Sequence, residues 1–202
     1  MLLGQSMVRK RVRARVRAAM QQPETGPAIR RYFVNTIFDS TFVMLGIIIG
    51  SAFSNHPDMH LVVVTVLTSA VALGISTGVS VYEAETMEQR RRLDEIEKAM
   101  LRSLDDTHIE RASRASVVVI AFINFLAPLI SGAVILSAFL IFSPSDLVAA
   151  AWTAIVLAIA MLFVTGFVLG RTTDRNPLLQ GARMAIIGVV AFAVCYYIQT
   201  II

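Results

Sequence analysis

The sequence is poor in charged residues. Asp, Glu, Lys and Arg make up only 16% of its 202 residues, whereas soluble domains carry about 25%. Hydrophobic residues make up 56%, and several apolar runs reach the roughly 20 residues that a helix needs to cross a bilayer. The composition excludes an ordinary soluble enzyme and predicts an integral membrane protein.

Cysteine and histidine are also scarce. The single Cys195 lies in the last apolar run, which excludes an intrachain disulfide and a cysteine-based metal cluster. The three histidines stand at no spacing typical of a catalytic constellation. The membrane segments leave too little chain for a separate soluble catalytic domain. We therefore expect no enzymatic activity, no cofactor and no nucleic-acid partner.

Five apolar runs are candidate membrane helices. They cover residues 33–53, 61–82, 115–142, 147–170 and 184–202. The third run is longer than a crossing requires and contains Pro128, so we expect it to tilt, kink or extend beyond the bilayer. The predicted fold is an all-α membrane protein with five transmembrane helices and a short helical segment between the second and third.

Basic residues fall in only three segments, which predicts the orientation. Residues 1–31 contain eight, 83–114 contain seven and 171–183 contain three, which is every Lys and Arg of the chain. With five spans these segments all lie on one side, which the positive-inside rule assigns to the cytoplasm. The amino terminus is then cytoplasmic and the carboxyl terminus outside. A prokaryotic plasma membrane is favoured, because no clear organelle signal is present.

Composition divides the chain into a basic segment, residues 1–31, and a membrane domain, residues 32–202, with the cytoplasmic segment 83–114 inserted in it. Apolar residues recur every four positions between the arginines of the basic segment: Val8, Val12, Val16 and Met20. This pattern predicts an amphipathic helix that lies on an anionic lipid leaflet. An organelle transit peptide is the alternative.

Asp39 is the only acid within the five runs. An intramembrane carboxylate costs a few kcal/mol and is a functional candidate, the alternative being a snorkelled or protonated acid near the helix end. Asn35, Gly46 and Gly50 share its helical stripe. The GxxxG pattern permits close helix approach, either within the chain or between two copies. At a twofold interface, two Asp39 carboxylates would face each other and could bind a divalent cation or carry a proton.

Hydroxyl groups recur in the second run, at Thr65, Ser69, Ser76 and Ser80. They either line a polar path or bond back to carbonyls of their own helix. The segment 83–114 that follows holds nine acids and seven bases. Acids three apart, such as Glu85 and Glu88, can chelate a divalent ion. Oppositely charged residues four apart instead favour a solvated, self-paired helix.

Three stretches resemble the vacuolar iron transporter family, the Ccc-type iron and manganese transporters. Residues 38–46 are similar to the family's first helix, with Asp39 on its aspartate; residues 72–82 are similar to the end of its second helix, and residues 170–188 to the connection into its fifth. The resemblance implies a homodimer of five-helix subunits, an ion path at the dimer axis lined by the first two helices, and a cytoplasmic acidic region that captures metal. It also implies export of ferrous iron or manganese from the cytosol in exchange for protons.

Three residues depart from the family pattern. Thr77 replaces its methionine, Val81 replaces its glutamate before Tyr82, and Ser40 replaces the glycine after its aspartate. A thioether and a carboxylate are therefore missing from the implied path. Loss of the soft thioether ligand predicts weaker discrimination of iron from harder ions such as manganese or magnesium.

The resulting hypothesis assigns a role to eleven residues. Six acids concentrate the ion at the cytoplasmic mouth: Glu83, Glu85, Glu88, Asp94, Glu95 and Glu97. Asp39 then binds it in the membrane and exchanges it for a proton, helped by Asn35, Ser76, Thr77 and Ser80. Two other functions stay open, namely a non-transporting scaffold or adaptor that docks a partner on its cytoplasmic helices, and a passive cation channel.

Overall fold

The computed structural model describes residues 25–54, 56–101, 107–143, 146–173 and 176–201. Within these ranges the chain forms five α-helices and no strand: α1 Thr25–Ala52, α2 Met59–Met100, α3 His108–Ile141, α4 Leu147–Thr172 and α5 Pro177–Ile201. Every one is long and apolar enough to cross a membrane. The predicted all-α architecture with five membrane-spanning helices is confirmed.

The helix α2 is much longer than a membrane crossing. Its 42 residues extend for about 63 Å at 1.5 Å per residue, roughly twice the hydrocarbon thickness. The apolar run ends at Tyr82 and the same helix continues through the charged sequence to Met100. Leu101, with φ of 51°, then leaves the helix in the left-handed conformation. Where it is described, the predicted helical segment 83–114 consists of the end of α2 and the start of α3.

The amino-terminal prediction is only partly within the described residues. Residues 25–31, assigned from composition to the basic segment, form the first turns of α1. The repeat from Val8 to Met20, on which the surface helix was predicted, lies outside the described residues. The third run is a continuous helix, and Pro128 lies inside it.

The described residues form two compact units. The first comprises those of 25–33 and 76–125, and the second those of 34–75 and 126–201. The second unit holds the hydrophobic core, built from Leu45 and Ile48 of α1, Val66 of α2, Ile135 of α3 and a row of alanines on α4. Small residues let helix backbones approach closely, which increases the van der Waals contact between membrane helices.

Glycines set the contact between α4 and α5 within the second unit. A Cβ added at Gly166 would lie 2.7 Å from the Met184 Cγ and 2.8 Å from the Gln180 carbonyl oxygen. Of the residues of α5, only Gly181 and Gly188 are buried. Most of the α5 surface is therefore left uncovered, as expected for a helix that faces lipid.

Candidate functional site

Asp39 lies on the exposed side of α1, in the second unit. Asn35 and Asp39 are both exposed, whereas Thr36, Ser40 and Thr41 on the other side of the helix are buried. The helical period explains the division, because residues four apart share a face and their immediate neighbours do not. The polar residues of α1 therefore belong to two faces, and Asp39 is on the one that the described chain leaves uncovered.

The GxxxG pattern lies on the same uncovered side. A Cβ added at Gly46 meets no atom within 4 Å, and one at Gly50 meets only the Gln199 Oε1, at 3.9 Å. These two glycines therefore bring no other helix of the described chain into close contact. We call the stripe of Asn35, Asp39, Val43, Gly46 and Gly50 the Asp39 face; Gly46 is partly buried and the other four are exposed.

Ser40, the residue that follows Asp39, points away from the Asp39 face. Its hydroxyl oxygen lies 3.0 Å from that of Ser131 on α3 and 3.1 Å from the Ile37 carbonyl oxygen. Ser40 and Ser131 are both buried. The serine thus connects α1 to α3, a role that the sequence did not indicate because the two residues are 91 positions apart.

The hydroxyl residues at the end of the second run lie in the first unit. Ser76 and Ser80 are exposed and Thr77 is partly buried. The amide of Asn124 on α3 donates a hydrogen bond of 3.3 Å to the Thr77 carbonyl, and Asn124 is itself almost fully buried. Sequence reasoning missed Asn124, although a single asparagine in an apolar run is a signal that could have identified it.

Of the four hydroxyls proposed to line a polar path, Thr65 has a clear alternative role. Its Oγ1 donates a hydrogen bond of 2.7 Å to the Leu61 carbonyl, one turn earlier. Threonine commonly bonds to its own helix in this way. The interpretation as a back-bonded hydroxyl is confirmed at this position.

Glu85 is the one buried carboxylate among the described residues, with 4% of its surface exposed. It lies in the first unit against a cavity of about 550 Å³, the Glu85 cavity, which Arg31, Tyr32 and Glu88 also line. The Arg31 guanidinium is 4.0 Å from the Glu85 carboxylate and is largely exposed. Tyr32 donates a hydrogen bond to the same carboxylate. The fold thus holds a carboxylate within a polar cavity beyond the apolar part of α2.

Val81 lies one turn before Glu85 and is buried as well. Residues four apart on a helix share a face, so Glu85 continues the buried face of α2 one turn beyond Val81, towards the charged end of the helix.

The other acids of α2 differ from Glu85 in exposure and pairing. Glu88 pairs with Arg92 at 2.9 Å, and Glu95 pairs with Arg91 at 3.3 Å. Glu83, Asp94 and Glu95 are exposed and Glu97 is partly buried, and none of the four lines the Glu85 cavity. Self-pairing, predicted as the alternative to chelation, therefore accounts for Glu88 and Glu95.

No three side chains of His, Cys, Asp or Glu converge into a metal site within the described residues. Of the eleven predicted residues, the structure brings Glu85 and Glu88 to one cavity and places Asn35 and Asp39 on one helix face. A metal bound to either place in a single chain would need amide, hydroxyl or water oxygens to complete its coordination, which hard cations accept.

Comparison with known proteins places these features in context. A model described as the VIT family matches residues 83–200, more than half of the chain. The chain is also 26% identical to the uncharacterized protein MJ0645 of Methanocaldococcus jannaschii over 178 residues, which cover 86% of this chain and 90% of that protein. The matched region of the family model includes the acids of the Glu85 cavity and the three helices that follow.

Proposed function

The chain belongs to the VIT family, whose members are transporters rather than enzymes, and we propose that it moves ferrous iron or manganese out of the cytosol in exchange for protons. The observation that carries the proposal is Asp39, an exposed carboxylate on an apolar helix. A carboxylate on an apolar helix is costly to expose to lipid, and contact with another protein surface or a water-filled path would remove that cost. Passage of an ion along this face would explain both the charge of Asp39 and its exposure.

In a homodimer built on the Asp39 face, the second copy would cover the exposed Asp39 carboxylate. The open space at Gly46 allows a second helix to approach, as in small-residue contacts between membrane helices. Two copies would bring two Asp39 carboxylates and two Asn35 amides to one axis. Four such oxygen ligands suit manganese or ferrous iron, and the thioether that would favour iron is replaced by Thr77.

Proton exchange follows from the same pair of carboxylates. Two carboxylates that face each other repel, and either a bound proton or a bound cation between them relieves that repulsion. A divalent cation favours the ionised form of both and displaces the proton. Metal and proton therefore compete for one site, which is the requirement for coupled exchange.

The Glu85 cavity would receive the ion on the cytoplasmic side. Its carboxylate is held by Tyr32 and only loosely by Arg31, whose guanidinium is exposed to solvent. An arriving cation can replace Arg31, because its guanidinium is largely exposed and lies 4.0 Å from the carboxylate, a long distance for an ion pair. The positive-inside distribution of basic residues supports the cytoplasmic location, in a prokaryotic plasma membrane.

The test is uptake of Mn²⁺ and Fe²⁺ by proteoliposomes that contain the purified protein, with and without an opposing pH gradient. We expect the gradient to stimulate flux, and we expect Asp39→Asn to reduce flux to the level of empty liposomes. Asp58→Asn, which removes an exposed acid between α1 and α2, is the matched control and should leave flux unchanged.

Two results would contradict the proposal. Flux that follows the metal gradient alone, with no effect of pH, would indicate a passive channel. Absence of flux from folded, dimeric protein would favour a non-transporting scaffold.

A further inference from the structure

A second cavity lies in the first unit, between α2 and α3. It is found where the apolar part of α2 ends and the apolar part of α3 begins. Its volume is about 330 Å³, within the range of small-molecule sites. Its lining includes Tyr82 and Val118 from the apolar parts of the two helices, and Arg90, Glu110 and Arg114 from their charged parts. The cavity therefore spans the boundary between the apolar and charged parts of both helices, where the hydrocarbon of a membrane gives way to headgroups. We call it the interfacial cavity.

The charged end of the interfacial cavity carries a net positive charge. Arg90 is exposed and forms no ion pair with any described residue. Arg114 pairs with Glu110, yet 79% of its side chain is exposed. Two guanidinium groups against one carboxylate leave a single uncompensated positive charge beside the pocket.

A hydrogen bond between α2 and α3 holds the part of the cavity near the two arginines in place. Ser113 is buried, and its hydroxyl donates a hydrogen bond of 2.7 Å to the Gln89 side chain across the two helices. This contact holds the α2 and α3 segments that carry Arg90 and Arg114 in one register. The arginines consequently flank a preformed cleft. Less conformational entropy is then lost when a ligand binds, because the site is already ordered.

The apolar end of the cavity continues along α3 as an uncovered stripe. Val118 and Phe122, one turn apart, are 55% and 59% exposed. The Phe122 ring stacks on that of Phe125, with centroids 6.4 Å apart. A hydrocarbon chain can lie along these side chains while a polar group attached to it reaches the arginines.

We propose that the interfacial cavity binds an anionic phospholipid, with its phosphodiester at Arg90 and Arg114 and an acyl chain along Val118 and Phe122. Guanidinium groups bind phosphate oxygens through two parallel hydrogen bonds, and Tyr82 occupies the headgroup level that tyrosine favours. The continuity of the charged pocket with an apolar stripe favours a lipid over a free phosphate. This inference does not depend on the transported ion or on transport.

The experiment titrates purified, delipidated full-length protein with phosphatidylglycerol and counts bound lipids by native mass spectrometry. Loss of the charged hydrogen bonds of Arg90 should weaken phosphatidylglycerol binding by about tenfold in Arg90→Gln. The double variant Arg90→Gln/Arg114→Gln should lose the site. Arg90→Lys, which keeps the charge but not the paired hydrogen bonds, should be intermediate.

Arg91→Gln is the matched control, because Arg91 is adjacent in sequence but pairs with Glu95 and does not line the cavity. Binding should be unchanged in this variant. Equal losses in Arg90→Gln and Arg91→Gln would overturn the proposal, since they would show only a general effect of charge.

Two further binding measurements identify the chemical class of the ligand. Phosphatidylethanolamine, which has no net charge, should bind more weakly than phosphatidylglycerol, and soluble glycerol phosphate should not displace the bound lipid. Equal binding of the two lipids, or displacement by glycerol phosphate, would contradict a site for an anionic lipid. The melting temperature of each variant in detergent verifies that it is folded.

Discussion

At the scale of single residues, Glu85 and Asp39 occupy opposite environments. Glu85 is buried beside a tyrosine and an arginine, while Asp39 is exposed on an apolar helix. A buried carboxylate needs partners to remain charged, and an exposed one in a membrane needs a covered surface. The proposed function therefore gives the two acids different steps, capture at the cytoplasmic side for Glu85 and binding within the membrane for Asp39.

The first prediction concerns Glu85. Glu85→Gln keeps the shape and the hydrogen bond to Tyr32 but removes the charge, so the half-saturating concentration of Mn²⁺ for transport should rise by about tenfold, equivalent to about 1.4 kcal/mol. Unfolding in detergent should change little, because the partner left behind, Arg31, is exposed. Initial rates of uptake over a range of Mn²⁺ concentrations measure the effect.

Glu95→Gln serves as the comparison for this prediction. Glu95 is exposed, pairs with Arg91 and does not line the Glu85 cavity, so its substitution should change half-saturation less. An equal or larger effect of Glu95→Gln would show that the acids of α2 act as a general attractive charge rather than through Glu85.

At the scale of secondary-structure elements, α4 and α5 depend on glycine for their contact. The backbone carbonyl of Gln180 lies so close to Gly166 that a side chain there has no room, and a backbone atom cannot rotate away as a side chain can. At Gly188 the nearest atom is instead the end of the Leu162 side chain. The α4–α5 contact is therefore less tolerant of substitution at Gly166 than at Gly188.

The second prediction is that Gly166→Ala destabilises the protein. Overpacking of this kind costs about 1–3 kcal/mol, even though alanine has the higher helix propensity. Thermal unfolding of the purified protein in detergent should show a lower midpoint. Gly26→Ala is the matched control, because an added Cβ at Gly26 meets nothing within 4 Å. Equal midpoints for Gly166→Ala and the native protein would refute the close α4–α5 contact.

At the scale of the whole molecule, much apolar surface is uncovered in a single chain. Large apolar side chains are exposed on all five helices, and most of the α5 surface is uncovered. Lipid accounts for a purely apolar surface at no cost. It does not account for the Asp39 face, where a carboxylate and an amide interrupt that surface.

The third prediction tests whether a second copy covers the Asp39 face. Gly46→Leu should shift the protein from dimer to monomer in detergent, because the branched side chain prevents close approach, and Gly46→Ala should have a smaller effect. Size-exclusion chromatography with light scattering gives the mass. Val156→Leu, at an exposed position of α4, should leave the dimer intact. A dimer that survives Gly46→Leu would place the interface elsewhere.

The fourth prediction concerns orientation. With Cys195→Ala as background, a membrane-impermeant maleimide applied to intact cells should label His56→Cys but not Ala99→Cys. Both residues are exposed in the structure, one between α1 and α2 and the other near the end of α2. Labelling of Ala99→Cys in intact cells would show that the topology is the opposite of the predicted one, and the proposed direction of transport would then be wrong.

The class, helix count and approximate helix limits of this protein could be predicted from its sequence, because a bilayer requires long apolar runs and each run is a local property of the chain. Asp39 could be singled out for the same reason, since one acid in such a run is conspicuous by itself. The continuation of α2 beyond Tyr82 was equally visible as a charged helical pattern.

Which side of each helix is covered could not be predicted, because that depends on neighbours far apart in sequence. The tertiary structure alone paired Ser40 with Ser131, brought Asn124 to Thr77, and buried Glu85 while it left most other acids of α2 exposed. It also left the space beside Gly46 open. A helix that is apolar all round fits lipid on every side, so only packing between helices decided which faces carry the chemistry.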